Sequence, residues 1–197
     1  MTAMSLSLLR RIGFAAAAVL MTATMVDVAP ATPIHSDVAP ILAFFGAVRE
    51  NDVDGVREEL SKGANPNAVD DAGKTALIYA VVNGNKDLVE LLLSSGARVD
   101  FRDDIGNTAL VWAAEQGQTE IADVLIKSGA PINVQNREGQ TALMKAAQQG
   151  ERDMVRLLIA KGADLTESDY TGRTALNWAQ SSNKRAVVQI LTEAGAK

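Results

Sequence analysis

The sequence predicts an all-α repeat protein, a solenoid of about five helix-turn-helix units joined by short β-hairpin or loop fingers. The main observation is a phrase that occurs four times at intervals of 33 residues: TALIYA, TALVWA, TALMKA and TALNWA, opening at Thr75, Thr108, Thr141 and Thr174. The second observation is the composition, with 47% apolar but only 4% aromatic residues, which suits slender helices that pack closely. A fixed period in an aliphatic-rich chain is typical of stacked repeats.

Glycines mark the limits of each unit in the same register. One set precedes the threonines by two residues, and another set is followed by alanine near the end of each unit; they are Gly73, Gly106, Gly139 and Gly172, and Gly96, Gly129, Gly162 and Gly195. An earlier copy lacks the threonine phrase but joins the register through Ala47, Val56, Leu60, Gly63 and Ala64. The repeat domain is therefore expected over residues 40–197, in units of about 40–70, 71–103, 104–136, 137–169 and 170–197.

Each unit contains the start and stop signals of two helices. The threonine hydroxyl can cap the first helix, which we expect to reach about Asn83 in the second unit. Gly84, Gly117 and Gly150 can end these first helices, because glycine adopts the left-handed backbone conformation at little cost. The second helices then carry the apolar runs LVELLL, IADVLI and MVRLLI.

Both ends of the row of units carry polar residues. A single unit buries too few aliphatic side chains to offset the entropy lost when its chain is ordered, so the units must stack and the end units need polar outer faces. Polar residues at the C-terminal end replace side chains that are apolar or glycine in most internal units; they are Asn177, Gln180, Asn183, Thr192 and Glu193. At the other end, Glu58 and Glu59 occupy the places of Leu91 and Leu92. We therefore expect a cap at each end.

The first residues have the pattern of a secretory signal peptide. A basic pair precedes an apolar run over residues 12–26, which is short for a membrane span, and small residues around Ala31 suit signal peptidase. We expect a signal peptide over residues 1–31, with cleavage after Ala31 or alternatively Ala23, and an extended leader over residues 32–39. The expected location is the periplasm; the alternatives are an extracellular protein and one anchored in the membrane by the uncleaved segment.

The charge and the residue inventory exclude several classes of function. The net charge is −5 and the pI is about 4.9, so the chain would repel the phosphate backbone of nucleic acids. Cysteine is absent and the only histidine, His35, lies in the expected leader, which excludes thiolate chemistry and histidine-based sites. The pairs Asp70/Asp71 and Asp103/Asp104 lack the ligand spacing of a calcium loop and are expected at polar hairpin tips. We expect no catalytic residue, no metal and no cofactor.

The unit G-x-T-A-L-x-x-A, followed by two short helices and G-A-x-hydrophobic-N/D, closely resembles the ankyrin repeat over about residues 40–197. The resemblance implies a curved solenoid whose fingers and first helices form a concave protein-binding face. The chain departs from the family's T-P-L-H phrase. Alanine replaces the proline, and the histidine is replaced by Ile78, Val111, Met144 and Asn177, so the family's imidazole hydrogen bond is missing. The chain is also similar to small exported bacterial ankyrin repeat proteins.

Residues that vary around each recurring turn are the candidates for partner binding. One column of equivalent positions, Tyr79, Trp112, Lys145 and Trp178, holds both tryptophans and one of the two tyrosines. These side chains either form an aromatic row along the groove or pack between units, and we favour packing because large aromatic side chains bury most of their area. The other candidates lie around the fingers: Lys74, Asp71, Asp104, Ile105, Arg137, Gln140, Tyr170 and Arg173.

The resemblance and the absence of catalytic residues predict a non-enzymatic protein–protein interaction module. We expect an adaptor or accessory protein that is exported to the periplasm and binds another protein through the concave face. The alternatives are a membrane-tethered scaffold with a retained N-terminal anchor and a secreted effector. We expect a monomer that binds no nucleic acid and, once the signal is cleaved, does not insert into a membrane.

Overall fold

A computed structural model describes residues 38–197, with side chains from residue 41 onward. Ten α-helices follow one another along this part of the chain. They are α1 (Val38–Arg49), α2 (Val53–Ser61), α3 (Ala76–Val82), α4 (Lys86–Ser94), α5 (Ala109–Glu115), α6 (Thr119–Lys127), α7 (Ala142–Gln149), α8 (Arg152–Ala160), α9 (Ala175–Ser181) and α10 (Arg185–Glu193). The expected signal peptide and most of the expected leader lie outside the described residues.

The helices pack in five consecutive pairs, from α1 with α2 to α9 with α10. Each odd-numbered helix contacts the next odd-numbered helix, and each even-numbered helix contacts the next even-numbered one. The stack therefore has two layers, called here the inner layer (α1, α3, α5, α7 and α9) and the outer layer (α2, α4, α6, α8 and α10). Between residues 38 and 197 the only β-pairing consists of two isolated bridges. The predicted all-α repeat of five helical pairs is confirmed.

Helix α1 begins at Val38, two residues before the expected start of the repeat domain. It thus includes the last residues of the segment that the sequence predicts to be an extended leader. Pro40 is compatible with this start because the first N–H groups of a helix have no intrahelical acceptor, so a missing N–H costs nothing there. The extended prediction is wrong for residues 38 and 39.

The recurring threonines cap the inner helices as predicted. Each Oγ1 accepts the backbone N–H three residues later, in the pairs Thr75 with Ile78, Thr108 with Val111, Thr141 with Met144 and Thr174 with Asn177, at 3.3–3.4 Å. At the other end of α7, Gly150 has a φ of +88° and donates its N–H to the carbonyl of Ala146. The capping signals in the sequence therefore fix the starts of α3, α5, α7 and α9 and the end of α7.

The core lies between the two layers along the whole stack. An alanine at one position of α3, α5, α7 and α9 is fully buried: Ala80, Ala113, Ala146 and Ala179. Leucines of α4, α6, α8 and α10 are equally buried at one equivalent position: Leu92, Leu125, Leu158 and Leu191. Small residues on one layer let the leucines of the other approach closely, so each boundary buries similar side chains and the units stabilise one another.

The family's histidine position takes two roles in this chain. Ile78, Val111 and Met144 are only 1–2% exposed and pack in the core. In the last unit, Asn177 is exposed, and its Oδ1 accepts the N–H of Thr174 at 3.0 Å, which completes a capping box. In the last unit, where no further unit covers this position, the side chain caps a helix instead of packing in the core.

Both predicted polar ends are present in the structure. The polar residues of the last unit are all exposed: Asn177, Gln180, Asn183, Thr192 and Glu193. At the first unit, Glu58 is exposed and Glu59 is partly buried, and both pair with Lys62 of the same helix end at 2.7 and 2.8 Å. A carboxylate can replace a buried leucine at Glu59 because an ammonium group neutralises it locally.

Candidate interaction surface

Four tight loops, called here the fingers, lead from one unit into the next inner helix. They span residues 70–74, 103–107, 136–140 and 169–173. In every finger the N–H of the first residue donates to the carbonyl of the last at 2.9–3.0 Å, and the N–H of the glycine donates to the carbonyl of the first at 2.8–3.0 Å. The isolated bridges Val69–Thr75 and Ser168–Thr174 flank the first and last fingers. Each finger is therefore a closed turn.

The first side chain of each finger holds the turn closed from within. Oδ1 of Asp103 accepts the N–H groups of Ile105 and Asn107 at 3.1 and 2.9 Å. The equivalent oxygens of Asp70, Asn136 and Asp169 accept the corresponding pairs of N–H groups in their own fingers. Asp103 lies in the finger, as the sequence predicts, but it is only 4% exposed. The carboxylate is buried because it satisfies backbone N–H groups that the turn leaves unpaired.

The aromatic side chains of the column are bonded to these finger carboxylates. Trp112 donates its Nε1–H to Oδ2 of Asp103 at 2.8 Å, and Trp178 donates its Nε1–H to Oδ2 of Asp169 at 3.0 Å. The Tyr79 hydroxyl donates in the same way to Oδ2 of Asp70. All three rings are partly buried. The rings are thus held in place along one edge while part of each remains accessible, which combines the two interpretations that the sequence left open.

The third finger and the inner helix that follows it, α7, depart from this pattern together. Asn136 stands where the other fingers have aspartate, and Lys145 stands where the other inner helices have an aromatic residue. The Nδ2 of Asn136 donates to Oδ1 of Asn107 at 2.9 Å, while the Lys145 ammonium lies 3.5 Å from Oε1 of Glu115. An amide can replace the carboxylate in this finger because no indole N–H or phenol hydroxyl approaches the atom that is equivalent to Oδ2 of the aspartates.

Basic side chains lie over the faces of the column rings. The Nζ of Lys74 is 4.7 Å from the ring centroid of Trp112 and 5.8 Å from that of Tyr79. Arg173 lies 5.0 Å from the Trp178 centroid, and Arg49 of α1 lies 5.5 Å from the Tyr79 centroid. These distances are within the range of cation–π attraction. The set is called here the cation–aromatic column: Arg49, Lys74, Tyr79, Trp112, Lys145, Arg173 and Trp178.

The hydrogen bonds of the fingers shift the ionisation of their carboxylates. Burial alone would raise the pKa of Asp70, but the hydrogen bonds from the Tyr79 hydroxyl and from the N–H groups of Lys74 and Ala72 outweigh it, and the pKa lies below its ordinary value. Burial is likewise outweighed at Asp169, whose pKa is lowered by bonds from Thr171, Arg173 and Trp178. The bond to Asp70 is the main cause that raises the pKa of Tyr79. The ionised carboxylate and the neutral phenol are the states that the finger stabilises.

Three of the fingers are joined by backbone hydrogen bonds. The N–H of Arg137 donates to the carbonyl of Ile105 at 3.1 Å, and the N–H of Tyr170 donates to the carbonyl of Glu138 at 3.2 Å. Glycine is required at this contact: Gly139 has a φ of +78°, and a Cβ there would lie 2.7 Å from the N atom of Tyr170. The exposed tips are therefore held at fixed separations along the stack.

Most of the predicted finger candidates are accessible in the structure. Asp71, Asp104, Arg137 and Arg173 are exposed, and Lys74 is partly buried. Two of the candidates are large apolar side chains with unusual exposure, Ile105 at 53% and Tyr170 at 72%. The tips thus present both charged groups and apolar groups on one edge of the stack. Their role in binding stays a prediction.

Gln140 differs from that expectation. It is only 5% exposed, so its side chain is not presented to a partner. The reason is that its finger is covered on both sides, through the bond between Arg137 and Ile105 and the bond between Tyr170 and Glu138. The equivalent Asn107 is buried as well. Gln140 is therefore removed from the candidate set.

Neither a metal site nor a membrane span is found among the described residues. Within residues 38–197, no three His, Cys, Asp or Glu side chains lie where they could hold a metal ion. None of the helices in that range combines the length and the apolar character that crossing a membrane requires. The carboxylates of Asp70 and Asp103, considered above as calcium ligands, already accept hydrogen bonds within their own fingers.

Comparison with known proteins identifies the family. The profile for ankyrin repeats, which spans three copies, matches residues 44–136 and again residues 128–197. No curated protein matches the chain. From residue 44 of α1 onward, the two profile matches cover the helical pairs and fingers described above, including the units in which an apolar residue or Asn177 replaces the family's histidine. The chain belongs to the ankyrin repeat family.

Proposed function

We propose that this protein is an exported, non-enzymatic adaptor that binds a protein partner through its fingers and inner helices. Ankyrin repeats are in general protein–protein interaction modules and are typically not enzymes. Export to the periplasm is proposed from the signal-like residues 1–31. The proposal commits to one surface, formed by the finger tips and the cation–aromatic column.

Two apolar side chains that are exposed at fixed positions on the finger edge are the main support for the proposal. Ile105 and Tyr170 expose 53% and 72% of their surface, although burying them would be favourable. Their backbones are pinned, because the carbonyl of Ile105 and the N–H of Tyr170 both take part in the bonds between fingers. Rigid and exposed apolar anchors are the residues that dominate binding energy in protein interfaces, since little entropy is lost when they are covered.

Capture of a partner tests the surface directly. The chain and its Ile105→Ala/Tyr170→Ala variant are crosslinked in the cells that produce them, and the captured proteins are identified by mass spectrometry. We expect the variant to fold normally and to lose most of the partner, because truncating two anchors costs about 2–4 kcal/mol of binding energy. Circular dichroism checks the fold.

A matched control is Leu42→Ala, which removes an apolar side chain of 65% exposure from α1 rather than from a finger. Partner capture by this variant should equal that of the unchanged chain. If the Ile105→Ala/Tyr170→Ala variant retains its partner, or if Leu42→Ala loses as much, the finger edge is not the binding surface.

Export is tested by the mass of the mature protein. Cleavage after Ala31 or Ala23 and recovery in the periplasmic fraction would support the proposed location. An intact N-terminus in the membrane fraction would instead support a tethered scaffold, and recovery from the culture medium would support a secreted effector.

A further inference from the structure

We propose that the cation–aromatic column recognises an acidic segment of the partner protein, with its carboxylates placed over Lys74 and Arg173. This inference rests on the proposed function and specifies the chemistry of its ligand. It concerns the strip along the inner helices, whereas the apolar anchors Ile105 and Tyr170 lie at the finger tips.

The charge that the aromatic rings can attract depends on the cations that already lie over them. An exposed tryptophan or tyrosine face ordinarily favours a cation of the partner. Here the protein supplies those cations itself, since Lys74 lies over Trp112 and Tyr79 and Arg173 lies over Trp178. A lysine or arginine of a partner would meet an occupied ring and a like charge. The column therefore presents positive charge where a row of bare aromatic rings would attract cations, and it favours anions.

The cations of the column differ in the carboxylates that already lie beside them. Arg49 is paired with Asp70 at 3.3 Å and Lys145 with Glu115 at 3.5 Å, so neither is among the proposed contacts. Within residues 41–197, neither Lys74 nor Arg173 has a carboxylate oxygen within 4 Å. By contrast, Lys86 and Lys161 of the outer layer are paired with Glu120 and Asp123 at 3.4 and 3.0 Å. A ring quadrupole leaves the net charge of the ammonium or guanidinium in place. Lys74 and Arg173 thus still offer N–H donors and a full positive charge to an incoming carboxylate.

The finger carboxylates beneath Trp112 and Trp178 are already engaged by hydrogen bonds. The carboxylates of Asp103 and Asp169 each accept three or more hydrogen bonds from finger N–H groups, hydroxyls and indoles. Asp103 and Asp169 are 4% and 5% exposed. Their oxygens therefore face the fingers rather than the cations above them. They anchor the rings without occupying the binding positions.

The net charge of −5 does not cancel this preference. Repulsion by distant carboxylates is screened beyond about 10 Å at 0.1 M salt, whereas a contact with Lys74 or Arg173 is formed at hydrogen-bond distance. Binding of an acidic segment should therefore be local and sensitive to salt. Because the protein is acidic overall, an acidic ligand would be repelled from other parts of its surface and would bind selectively at this strip.

The test uses defined peptides as probes. A fluorescein-labelled peptide of alternating glutamate and glycine is titrated with the purified chain and followed by fluorescence anisotropy, beside a lysine–glycine peptide of equal length. The variant Lys74→Gln/Arg173→Gln removes the two cations. Glutamine occupies the position equivalent to Lys74 in the fourth unit, as Gln140, so the fold accepts this side chain. The control Lys86→Gln/Lys161→Gln removes two outer-layer cations and changes the net charge equally.

We expect the glutamate peptide to bind, the lysine peptide not to bind, and the affinity to fall roughly tenfold in the column variant. The outer-layer control should bind as the unchanged chain does, and raising the salt should weaken binding. Equal losses in both variants would show an effect of net charge alone and would overturn the inference. Preference for the lysine peptide, or no binding of either peptide, would overturn it as well.

The outcome is separable from that of the proposed function. Partner capture that depends on Ile105 and Tyr170, combined with a glutamate peptide that does not bind, would leave the adaptor function standing and remove the acidic ligand. Binding of the glutamate peptide with no partner captured in cells would support the acidic ligand and remove the adaptor function.

Discussion

Asp103 accepts two backbone N–H groups of its own finger and the indole N–H of Trp112. The sequence predicts the threonine caps, because a hydroxyl before an apolar run has one common role. It does not predict the role of the aspartates, because an acidic residue in a turn is usually solvated. A signal was nevertheless present: aspartate or asparagine recurs nine residues before each column position, and asparagine occurs only where Lys145 replaces the ring.

Replacing Asp103 by alanine should destabilise the protein strongly. The change leaves the N–H groups of Ile105 and Asn107 and the Nε1–H of Trp112 without their acceptor, which costs about 2–4 kcal/mol of unfolding free energy. Urea unfolding followed by circular dichroism measures the loss. Asp104→Ala in the same finger removes an exposed carboxylate and should change the unfolding free energy by less than about 0.5 kcal/mol. Equal effects of the two substitutions would contradict the role given to Asp103.

The finger aspartates also predict how stability depends on pH. The pKa values of Asp70 and Asp169 are lower in the folded protein than the ordinary 3.8. Their contribution is therefore fully present above the ordinary value and is lost as the pH falls through the lowered pKa values. Urea unfolding should give the same contribution from these groups at neutral pH and at about pH 5, and a falling one below about pH 4.

The matched variant is Asp70→Asn/Asp169→Asn, which copies the amide that Asn136 supplies in its own finger. It should be less stable at neutral pH and lose less further stability in acid, whereas Asp71→Asn at an exposed tip should retain the acid sensitivity of the unchanged chain. A double variant with undiminished acid sensitivity would show that other carboxylates cause it.

At the scale of elements, the helices and their order follow from the sequence, but the stacking of the fingers does not. Apolar spacing and threonine caps define each helix through its side chains, and the side-chain types can be read directly from the sequence. The bond from Arg137 to Ile105 and the bond from Tyr170 to Glu138 join backbone atoms, which every residue type carries. The burial of Gln140 could not be predicted for the same reason, since it is a result of that stacking.

The contact between fingers can be isolated with two glycines. Gly139 and Gly172 have nearly the same φ, +78° and +79°, so alanine causes similar backbone strain at both, about 1 kcal/mol. Only at Gly139 would the new Cβ meet another finger, at 2.7 Å from the N atom of Tyr170, while nothing lies within 4 Å at Gly172. We expect Gly139→Ala to lower the unfolding free energy by at least about 1 kcal/mol more than Gly172→Ala. Equal losses would mean that the fingers do not support one another.

For the whole molecule, the 33-residue period predicts a single row of units, and the contacts between successive helices confirm it. The polar residues at each end were also predictable, because a terminal face has no neighbour to cover it. The positions of the cations over the aromatic rings were not predictable from the sequence. Arg49 and Lys74 each reach a ring of the following helical pair, and such reach depends on side-chain directions that spacing alone does not define.

Stability should differ between the middle and the end of the row. Leu158 and Leu191 hold equivalent, fully buried positions, and alanine at either should cost about 2–5 kcal/mol locally. The last pair, α9 and α10, has a neighbour on one side only. Leu191→Ala should therefore speed amide hydrogen exchange in residues 175–193 while α5 and α7 stay protected, whereas Leu158→Ala should speed exchange on both sides of α8. Identical exchange patterns would indicate a single cooperative unit.

The separation of nine residues between each finger aspartate and its aromatic partner bears on how such a protein lengthens. A tandem duplication of one 33-residue period carries both members of the bond when the copied segment does not begin between them, so the new boundary then has no buried carboxylate that lacks its donor. The same holds for the pair Asn136 and Lys145. Growth of the gene by whole periods is thus compatible with folding from the first generation, before any further substitution adapts the new surface.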